Sequence, residues 1–303
     1  MRAALYDRYG GPEVLYVGEA PMPQPGPGQV RIKVVASSVN PIDWKVRSGL
    51  VPTVKTFPAG TGTDAAGLVD AVGEGVDAAW LGRPVFGATV ERRGAAEYCL
   101  LHHWAAKPAE LSWDEAAALP LAVETALRAL RTSQAGPGDV VLIDGAGGSV
   151  GTATAQLGRQ FGLHLVGTAS ARSSAMLQEL GVTPVPYDRP LRVALGEAGI
   201  DHIDRALDYS GRRIPELIEL VGDADKVTGI VDHKLGPQLG IRDTASSPTQ
   251  GAYDALEQAA EMAGQGGFYV ALGPIFDLDH IADAQTANQA GAPGKVIVRI
   301  SQD

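Results

Sequence analysis

A glycine-rich turn is the strongest chemical signal in the sequence. Gly145, Gly148 and Gly151 follow the apolar run at residues 140–143 and open a segment with helical spacing. In such a turn the first glycine permits a tight bend, the second lets the backbone approach a pyrophosphate, and the third lets the helix pack on the sheet. The new helix also offers unpaired N–H groups and the positive end of its dipole, which attract anions. We predict that this turn binds a dinucleotide.

The residues after the next predicted strand distinguish between two nicotinamide dinucleotides. NAD enzymes usually place Asp or Glu about 20 residues after the turn to hold the ribose 2′-hydroxyl, but residues 166–174 contain no carboxylate. Ser170 and Ser173 can donate hydrogen bonds, and Arg172 offers a planar fork of donors suited to a 2′-phosphate. The sequence therefore predicts NADPH. The alternative, that Arg172 is only a solvated residue at a helix start, stays open.

Metal-ligating residues are scarce. The chain has one cysteine, Cys99, so it cannot form an internal disulfide or a structural zinc site of clustered thiolates. Cys99 lies in an apolar strand and is expected to be a small core residue. His102 and His103 are adjacent, so on a strand their side chains should point to opposite faces. We predict that the protein has no metal site.

The second half of the chain alternates between short apolar runs and segments with helical spacing. Val150, Ala153, Leu157 and Phe161, for example, fall on one helix face. Six strands are predicted, at residues 140–143, 163–166, near 185, 203–209, 226–231 and 268–272. Strands that alternate with helices in this way form a doubly wound parallel sheet.

The first third of the chain is rich in β-strand signals and turn glycines, which predicts a compact β-barrel. Ser112 and Glu115 form the pattern of a helix N-terminal capping box, and Pro120 should interrupt the helix that follows. Residues 295–300 are again strand-like, and we expect them to return to the N-terminal barrel. The predicted fold class is thus α/β, with a discontinuous first domain.

Composition excludes several classes of partner. The formal net charge is −10 and the isoelectric point about 5.1, so the surface repels phosphate backbones and anionic lipids. No apolar run approaches the roughly 18 residues of a spanning helix, and the first residues contain no apolar signal core. We predict a cytoplasmic enzyme that binds neither nucleic acid nor membrane.

Segments in the right order along the chain resemble the medium-chain dehydrogenase/reductase superfamily, and within it the zinc-free quinone oxidoreductase (zeta-crystallin-like) branch. The matching motifs are N-P-x-D at residues 40–43, P-x-x-x-G-x-D-x-A-G at 58–67, G-x-x-A-E-Y at 94–98 with a shortened spacer, L-P-x-x-x-x-T-A at 119–126 and G-K-V at 294–296. The resemblance implies a GroES-like β-barrel catalytic domain at residues 1–118 and 268–303, and a Rossmann NADPH-binding domain at 119–267. In the related alcohol dehydrogenases, a Cys and a His bind catalytic zinc at the positions of Asn40 and Thr63.

The resemblance also implies roles for individual residues. Asn40, Asp43 and Thr125 are similar to residues near the nicotinamide and its ribose, which we group as candidate catalytic residues. Gly148, Ser149 and Val150 would hold the pyrophosphate. Lys295 resembles a late basic residue that faces the cofactor. Two structural alternatives stay open: Asn40 as a turn former before a proline, and Asp43 as a partner of a backbone amide or of Arg47.

Departures from the family pattern affect the substrate site. A pocket tyrosine that is frequent in the family is replaced by Val51, so no tyrosine acid can be transferred. The tyrosine often found near the 2′-phosphate aligns with Asp188, and Tyr187, one residue earlier, is the candidate contact. An apolar pocket lined by Trp44, Val51, Phe57 and Phe276 is expected in a cleft between the two domains, although each of these residues is compatible with a core position.

The predicted reaction is hydride transfer from NADPH to a quinone or to the C=C bond of an α,β-unsaturated carbonyl compound, either an enone or an enoyl thioester. Without zinc, no strong Lewis acid polarises a simple ketone, which favours conjugated acceptors. Two alternatives remain on the same fold: a redox-idle NADPH-binding protein, and a biosynthetic cyclase or isomerase. The resemblance further implies a homodimer formed through the edge strands of the sheets.

Overall fold

The computed structural model describes residues 1–244 and 251–301. Its strands, in chain order, are β1 (Arg2–Tyr6), β2 (Tyr16–Glu19), β3 (Val30–Val39), β4 (Ala59–Gly60), β5 (Asp64–Val72), β6 (Pro84–Thr89), β7 (Tyr98–Ala106), β8 (Val140–Asp144), β9 (His164–Ala169), β10 (Val182–Pro186), β11 (Arg205–Asp208), β12 (Val227–Gly229), β13 (Arg242–Asp243), β14 (Leu272–Asp277) and β15 (Lys295–Arg299). The α-helices are α1 (Pro41–Arg47), α2 (Trp113–Ala118), α3 (Pro120–Ser133), α4 (Ser149–Gly158), α5 (Ala171–Glu179), α6 (Leu191–Glu197), α7 (Ile214–Val221), α8 (Leu235–Gln238), α9 (Ala255–Gly264) and α10 (Ile281–Gln289).

The chain divides into two compact units. The first unit combines Met1–Leu121 with the chain from Leu256 onward, and the second is Ala122–Ala255. The chain passes from the first unit to the second near the start of α3 and returns to the first unit at the start of α9. The predicted range of the second domain, 119–267, extends further toward the C terminus.

The first unit is built on a β-barrel. Its main sheet has the order β14-β15-β3-β5-β6-β7, and β3 also pairs with β7, which closes the sheet on itself. Val30, Ile32 and Val34 of β3 are fully buried, whereas Arg31 and Lys33 between them point away from the core. This alternation follows from the two-residue period of a strand. Strand β15 pairs antiparallel with β3, as the sequence predicted for the C-terminal segment.

The two adjacent histidines of β7 correct one expectation. Their rings lie 4.8 Å apart, centroid to centroid, rather than on opposite faces. The register explains the contact, because Ala88 pairs with His103 and Thr89 pairs with Leu101, so His102 is an extra residue in its strand. Such a bulge interrupts the alternation of side chains. Cys99, by contrast, is buried in the barrel core as predicted.

The second unit is a doubly wound parallel sheet, as predicted. Its order is β10-β9-β8-β11-β12-β13, with the glycine-rich turn following the central strand β8. The sixth strand was placed wrongly, however. The sheet ends with Arg242–Asp243, and β14 at Leu272–Asp277 instead pairs parallel with β15 in the first unit. Two polar residues at a sheet edge leave no apolar run, so the periodicity could not reveal them.

Helix starts follow the local sequence signals. The hydroxyl of Ser112 accepts a hydrogen bond from the Glu115 amide at 3.2 Å, and the Glu115 carboxylate accepts one from the Ser112 amide at 2.8 Å. This reciprocal pair is the capping box that the sequence predicted. Pro120 separates α2 from α3 and stands at the first position of α3, where its missing N–H costs no helical hydrogen bond.

The described residues include no helix that is both long enough and apolar enough to cross a lipid bilayer.

Candidate active site and dinucleotide cleft

The turn between β8 and α4 has the backbone shape that its glycines permit. Gly145 has φ +94°, a conformation that residues with a side chain rarely adopt. A Cβ atom on Gly151 would lie 2.6 Å from the Cα of Ala146, so only glycine allows α4 to approach the turn after β8 so closely. Ser149 and Val150 form the first turn of α4, where N–H groups have no acceptor within the helix.

An open cleft of about 420 Å³ lies against this turn. Its lining residues come from the carboxyl ends of the parallel strands and the loops after them: Asp144, Gly145, Gly147, Gly148, Thr168, Ala169, Ser170, Tyr187, Asp188, Ser210, Arg212 and Arg213. Four predicted cofactor residues are therefore together in one wall, namely Gly145, Gly148, Ser170 and Tyr187. Arg172 is exposed in the first turn of α5 and is not among the lining residues.

A buried carboxylate stands directly before the turn. Asp144 accepts hydrogen bonds from the Thr168 hydroxyl at 2.8 Å and from the Ser210 hydroxyl. The Thr168 hydroxyl also accepts a hydrogen bond from the Gly145 amide at 2.8 Å, which ties the turn to strand β9. These bonds occupy both oxygens of Asp144, so its charge is held within the wall of the cleft.

Asp208, at the end of the neighbouring strand β11, is fully buried. One carboxylate oxygen accepts a hydrogen bond from the Gly211 amide at 2.8 Å, while the other has no hydrogen-bond partner in the described residues. Burial is the main cause of its raised pKa, and the nearby charge of Asp144 raises the pKa further. Asp208 thus fixes the loop that begins at Ser210.

That loop contains two cations that the sequence analysis missed. Arg212 and Arg213 line the cleft directly after β11. The Arg213 guanidinium donates to the Arg189 carbonyl at 3.0 Å and lies 3.4 Å from Glu216, whereas Arg212 is exposed. A signal was available, because the carboxyl ends of parallel strands share one sheet edge, and this pair follows the predicted strand at 203–209.

In the first unit, Asn40 and Asp43 form the start of helix α1. The backbone N–H of Asn40 donates to one carboxylate oxygen of Asp43 at 2.8 Å, and the Thr63 hydroxyl donates to the other oxygen at 2.7 Å. Burial raises the pKa of Asp43 to about 6, against the opposing effect of these two hydrogen bonds. Asp43 therefore bonds a backbone amide, as one interpretation of the sequence proposed, and it also titrates close to neutral pH.

Lys295 joins the same cluster from the opposite end of the chain. Its ammonium group donates to the side-chain oxygen of Asn40 and lies 3.6 Å from Asp64. Asp64 in turn accepts from the Asn40 side-chain amide at 2.8 Å and from the Leu121 backbone amide at 3.0 Å. All three side chains are buried. Sequence reasoning missed Asp64, although it stands in the G-x-D motif of residues 62–64.

The remaining predicted residues belong to different elements of the two units. In the second unit, buried Thr125 donates to Glu124 at 3.3 Å and belongs to helix α3. In the first unit, Trp44 donates to Asn288 at 3.1 Å and Phe276 packs against a core cluster. Val51 is half-buried just after α1.

Phe57 is substantially exposed in the loop that leads to β4. Its ring makes edge-to-face contacts with Tyr6 at 5.9 Å and with Tyr9 at 5.4 Å. Phe57, one of the four predicted pocket residues, therefore belongs to an aromatic group at the surface of the first unit.

The residues of the cleft are suited to bind the phosphate groups of a dinucleotide. A turn in which Gly151 excludes a side chain, followed by the free N–H groups of a helix start, is suited to a pyrophosphate. Ser170 and Arg212 add donors for a further phosphate. The metal ligands of alcohol dehydrogenases have no counterpart at Asn40 and Thr63, and in the described residues no three His, Cys, Asp or Glu side chains are grouped so that they could hold a metal ion.

Comparisons with known proteins agree with this architecture. Residues 26–118 match the alcohol dehydrogenase GroES-like domain. The chain is 32% identical to a quinone oxidoreductase of Lama guanicoe, over 98% of this chain and 97% of that protein. It is 30% identical to a 2-methylene-furan-3-one reductase of Solanum lycopersicum, over 98% of this chain and 79% of that protein.

A solved structure gives the same result for the fold. The quinone oxidoreductase from Coxiella burnetii superimposes with a TM-score of 0.84 at 27% identity, and 99% of each chain is covered. The sequence relationship extends over nearly the whole chain and includes both units. The chain therefore belongs to the quinone oxidoreductase branch of the medium-chain dehydrogenase/reductase superfamily, whose members are oxidoreductases that use a nicotinamide cofactor.

Proposed function

We propose that the protein is an NADPH-dependent oxidoreductase that transfers hydride, without zinc, to a quinone or to the C=C bond of an α,β-unsaturated carbonyl compound. The cleft beside the glycine-rich turn is the main support, because its wall combines a pyrophosphate-binding turn with serine and arginine donors. No carboxylate follows β9 at residues 170–174, where an NAD enzyme would place one for the ribose 2′-hydroxyl.

Each part of the cofactor would be held by a different group of residues. Gly145, Gly148 and the first-turn N–H groups of Ser149 and Val150 would bind the pyrophosphate. The 2′-phosphate would lie near Ser170 and Tyr187, within reach of the guanidinium groups of Arg172 and Arg212. When bound, NADPH supplies the hydride from its nicotinamide ring.

The acceptor side is proposed to use the cluster around Asn40. An amide group has two N–H donors, and Asp64 uses one of them, so the second can stabilise negative charge on an acceptor oxygen. Lys295 adds a positive charge next to this amide. Asp43, with a pKa of about 6, can exchange a proton near neutral pH through the Thr63 hydroxyl.

A conjugated acceptor is favoured for a chemical reason. Hydride adds readily to a carbon that is conjugated to a carbonyl group, whereas a simple ketone needs stronger polarisation, such as that supplied by zinc. Asn40 and Thr63 are not zinc ligands. The two relatives are named as a quinone oxidoreductase and a 2-methylene-furan-3-one reductase, and both of these compounds are conjugated carbonyl compounds. Their names support the same class of acceptor for this protein.

The test is NADPH oxidation, followed by absorbance at 340 nm, against a panel of quinones, enones and enoyl thioesters. We expect turnover with at least one of these classes and a lower kcat/KM with NADH. Tight NADPH binding without turnover on any acceptor would favour the redox-idle alternative. A product formed without NADPH consumption would favour a cyclase or isomerase.

The proposal includes a homodimer that forms through the sheet edges. Strand β13 is the terminal strand of its sheet, with no further strand on its outer side in the described residues. Light scattering of the purified protein would report a mass twice that of the 31.5 kDa chain. The cytoplasmic location stays a prediction from the sequence.

A further inference from the structure

A second pocket lies in the first unit. Its volume is about 200 Å³. Its wall is formed by the end of β1, helix α1, the loop at residues 53–56, strand β4 and the turn after β6, through Tyr6, Val46, Thr53, Val54, Lys55, Thr56, Ala59, Gly60, Glu91, Arg92 and Arg93. We call it the basic pocket, because three of these residues are cations and only Glu91 is an acid.

The charges of the basic pocket are only partly compensated. Arg93 lies 3.6 Å from Glu91, a loose ion pair. Arg92 donates to the Thr53 hydroxyl at 2.5 Å, a neutral partner. Lys55 is exposed and contacts no carboxylate in the part of the chain that the structure describes. The pocket thus has two uncompensated positive charges in a protein whose net charge is −10.

The backbone of the pocket has an unusual conformation at Glu91 and Arg92. Glu91 and Arg92 have φ values of 54° and 55°, in the left-handed region that non-glycine residues seldom occupy. The hydrogen bond from Arg92 to Thr53 links this turn to the facing loop. The Cγ atom of Arg93 is so close to Gly60 that a Cβ there would lie 2.8 Å from it. Strained conformations of this kind persist where surrounding contacts enforce them, and they cluster at ligand sites.

The basic pocket is close to the Asn40 cluster. Val46 in its wall stands three residues after Asp43 on helix α1, so the two lie on one helix face, about 5 Å apart along the axis. Tyr6, another wall residue, is buried, and burial raises its pKa. The charge of Arg92 lowers this pKa, and that of Asp43 raises it. The ring of Phe57 packs edge-on against Tyr6 and extends this wall with an aromatic surface.

We propose that the basic pocket binds an oxyanion of the acceptor, a carboxylate or a phosphate, so that the acceptor is a conjugated carbonyl compound with an anionic tail. The two arginines present planar donor groups that match either anion, and the hydroxyls of Thr53 and Thr56 add further donors. This inference rests on the proposed function. In that reaction hydride adds to the β-carbon, the C=C electron pair moves toward the carbonyl oxygen, a proton from solvent completes the saturated ketone, and NADPH is oxidised to NADP⁺.

Matched acceptors test the proposal. Three enones that differ only at one end are suitable: 4-(3-oxobut-1-enyl)benzoate, its primary amide, and 4-(3-oxobut-1-enyl)phenyl phosphate. We expect kcat/KM for the benzoate or the phosphate to exceed that for the amide by about tenfold or more, which is the effect of one charged hydrogen bond. The anion with the larger ratio identifies the group that the pocket prefers.

A double variant, Lys55→Gln with Arg92→Gln, should reduce that ratio about tenfold, whereas Glu91→Gln should increase it. Arg83→Gln, an exposed arginine of the same unit that does not line the pocket, is the matched control and should leave the ratio unchanged. Higher salt should lower the ratio for the unsubstituted protein, because exposed charges are screened. Equal kcat/KM for all three enones, or a ratio that the double variant does not alter, would overturn the proposal.

A binding measurement separates this inference from the proposed function. Inorganic phosphate is titrated into the protein and into the double variant, with ³¹P line broadening as the readout. The glycine-rich turn contributes equally to both titrations, so weaker binding by the variant reports on the basic pocket alone. If no quinone, enone or enoyl thioester is reduced but this difference is present, the proposed function fails and the oxyanion site stands. Identical titration curves for the protein and the double variant would show that the basic pocket does not bind phosphate.

Discussion

The Nζ atom of Lys295 lies 3.6 Å from the Oδ2 atom of Asp64, and both side chains are buried in the first unit. The two residues stand on β15 and β5, the strands that flank β3. Asn40 follows β3 directly and bonds to both of them. The ion pair therefore holds the Asn40 side chain from two sides.

Removing one partner of this pair should be costly. Lys295→Met leaves Asp64 as a buried charge without its cation, and we expect the free energy of unfolding to fall by about 3–5 kcal/mol. Urea denaturation measures the change. Arg189→Met, which breaks a half-exposed pair with Glu197, is the control and should cost less than about 1 kcal/mol. Similar losses in the two variants would contradict a structural role for the buried pair.

Stability should decrease as pH rises through the titration of Asp43. Burial raises its folded-state pKa to about 6 from an ordinary value of 3.8, so between these values the folded protein binds the proton more tightly than the unfolded chain. The stabilisation present at low pH is lost by about pH 7. Relative to Asp43→Asn, the protein should lose about 2 kcal/mol between pH 4 and pH 7. Denaturation of both proteins across this range measures the difference, and a constant difference would show that Asp43 titrates normally.

Two glycines give a matched test of the dinucleotide turn. In Gly151→Ala the new Cβ would lie 2.6 Å from Ala146 and from the Gly145 carbonyl, so α4 must move. We expect a loss of about 1–3 kcal/mol in stability and weaker NADPH binding by calorimetry. Gly136→Ala has no atom within 4 Å of the new Cβ and should change neither quantity by much. NADPH binding that is unaffected in Gly151→Ala would exclude this turn as the site.

The two arginines near the cleft should favour NADPH over NADH. Arg172→Ala and Arg212→Ala should each weaken NADPH binding about tenfold, the contribution of one charged hydrogen bond, and affect NADH less. Arg159→Ala, an exposed arginine of the same unit outside the cleft wall, serves as the control. Dissociation constants for both coenzymes would be measured by fluorescence titration. If only Arg212→Ala has an effect, Arg172 is a solvated residue, as the alternative interpretation holds.

Features that depend on neighbouring residues were predictable from the sequence. The Ser112–Glu115 cap and the strand-turn-helix around Gly145 were both predicted from local patterns. In each case the residues that determine the structure lie within a few positions of one another, so spacing alone indicates the geometry.

Features that depend on distant residues were not predictable in this way. Asp64 and Lys295 are far apart in sequence, and only the pairing of β15 with β3 brings them together. Strand β13 consists of two polar residues and has no periodic signal, and the bulge at His102 arises from its pairing with β6. In each case the partner, rather than the local pattern, determines the outcome.

The return of β15 to the N-terminal barrel has a consequence for biosynthesis. A ribosome releases the second unit, Ala122–Ala255, before it has made the strand that completes the first unit. Domains generally fold as units while synthesis proceeds, so the second unit should mature before the barrel of the first unit. The nascent chain thus has no assembled Asn40–Asp64–Lys295 cluster until β15 emerges.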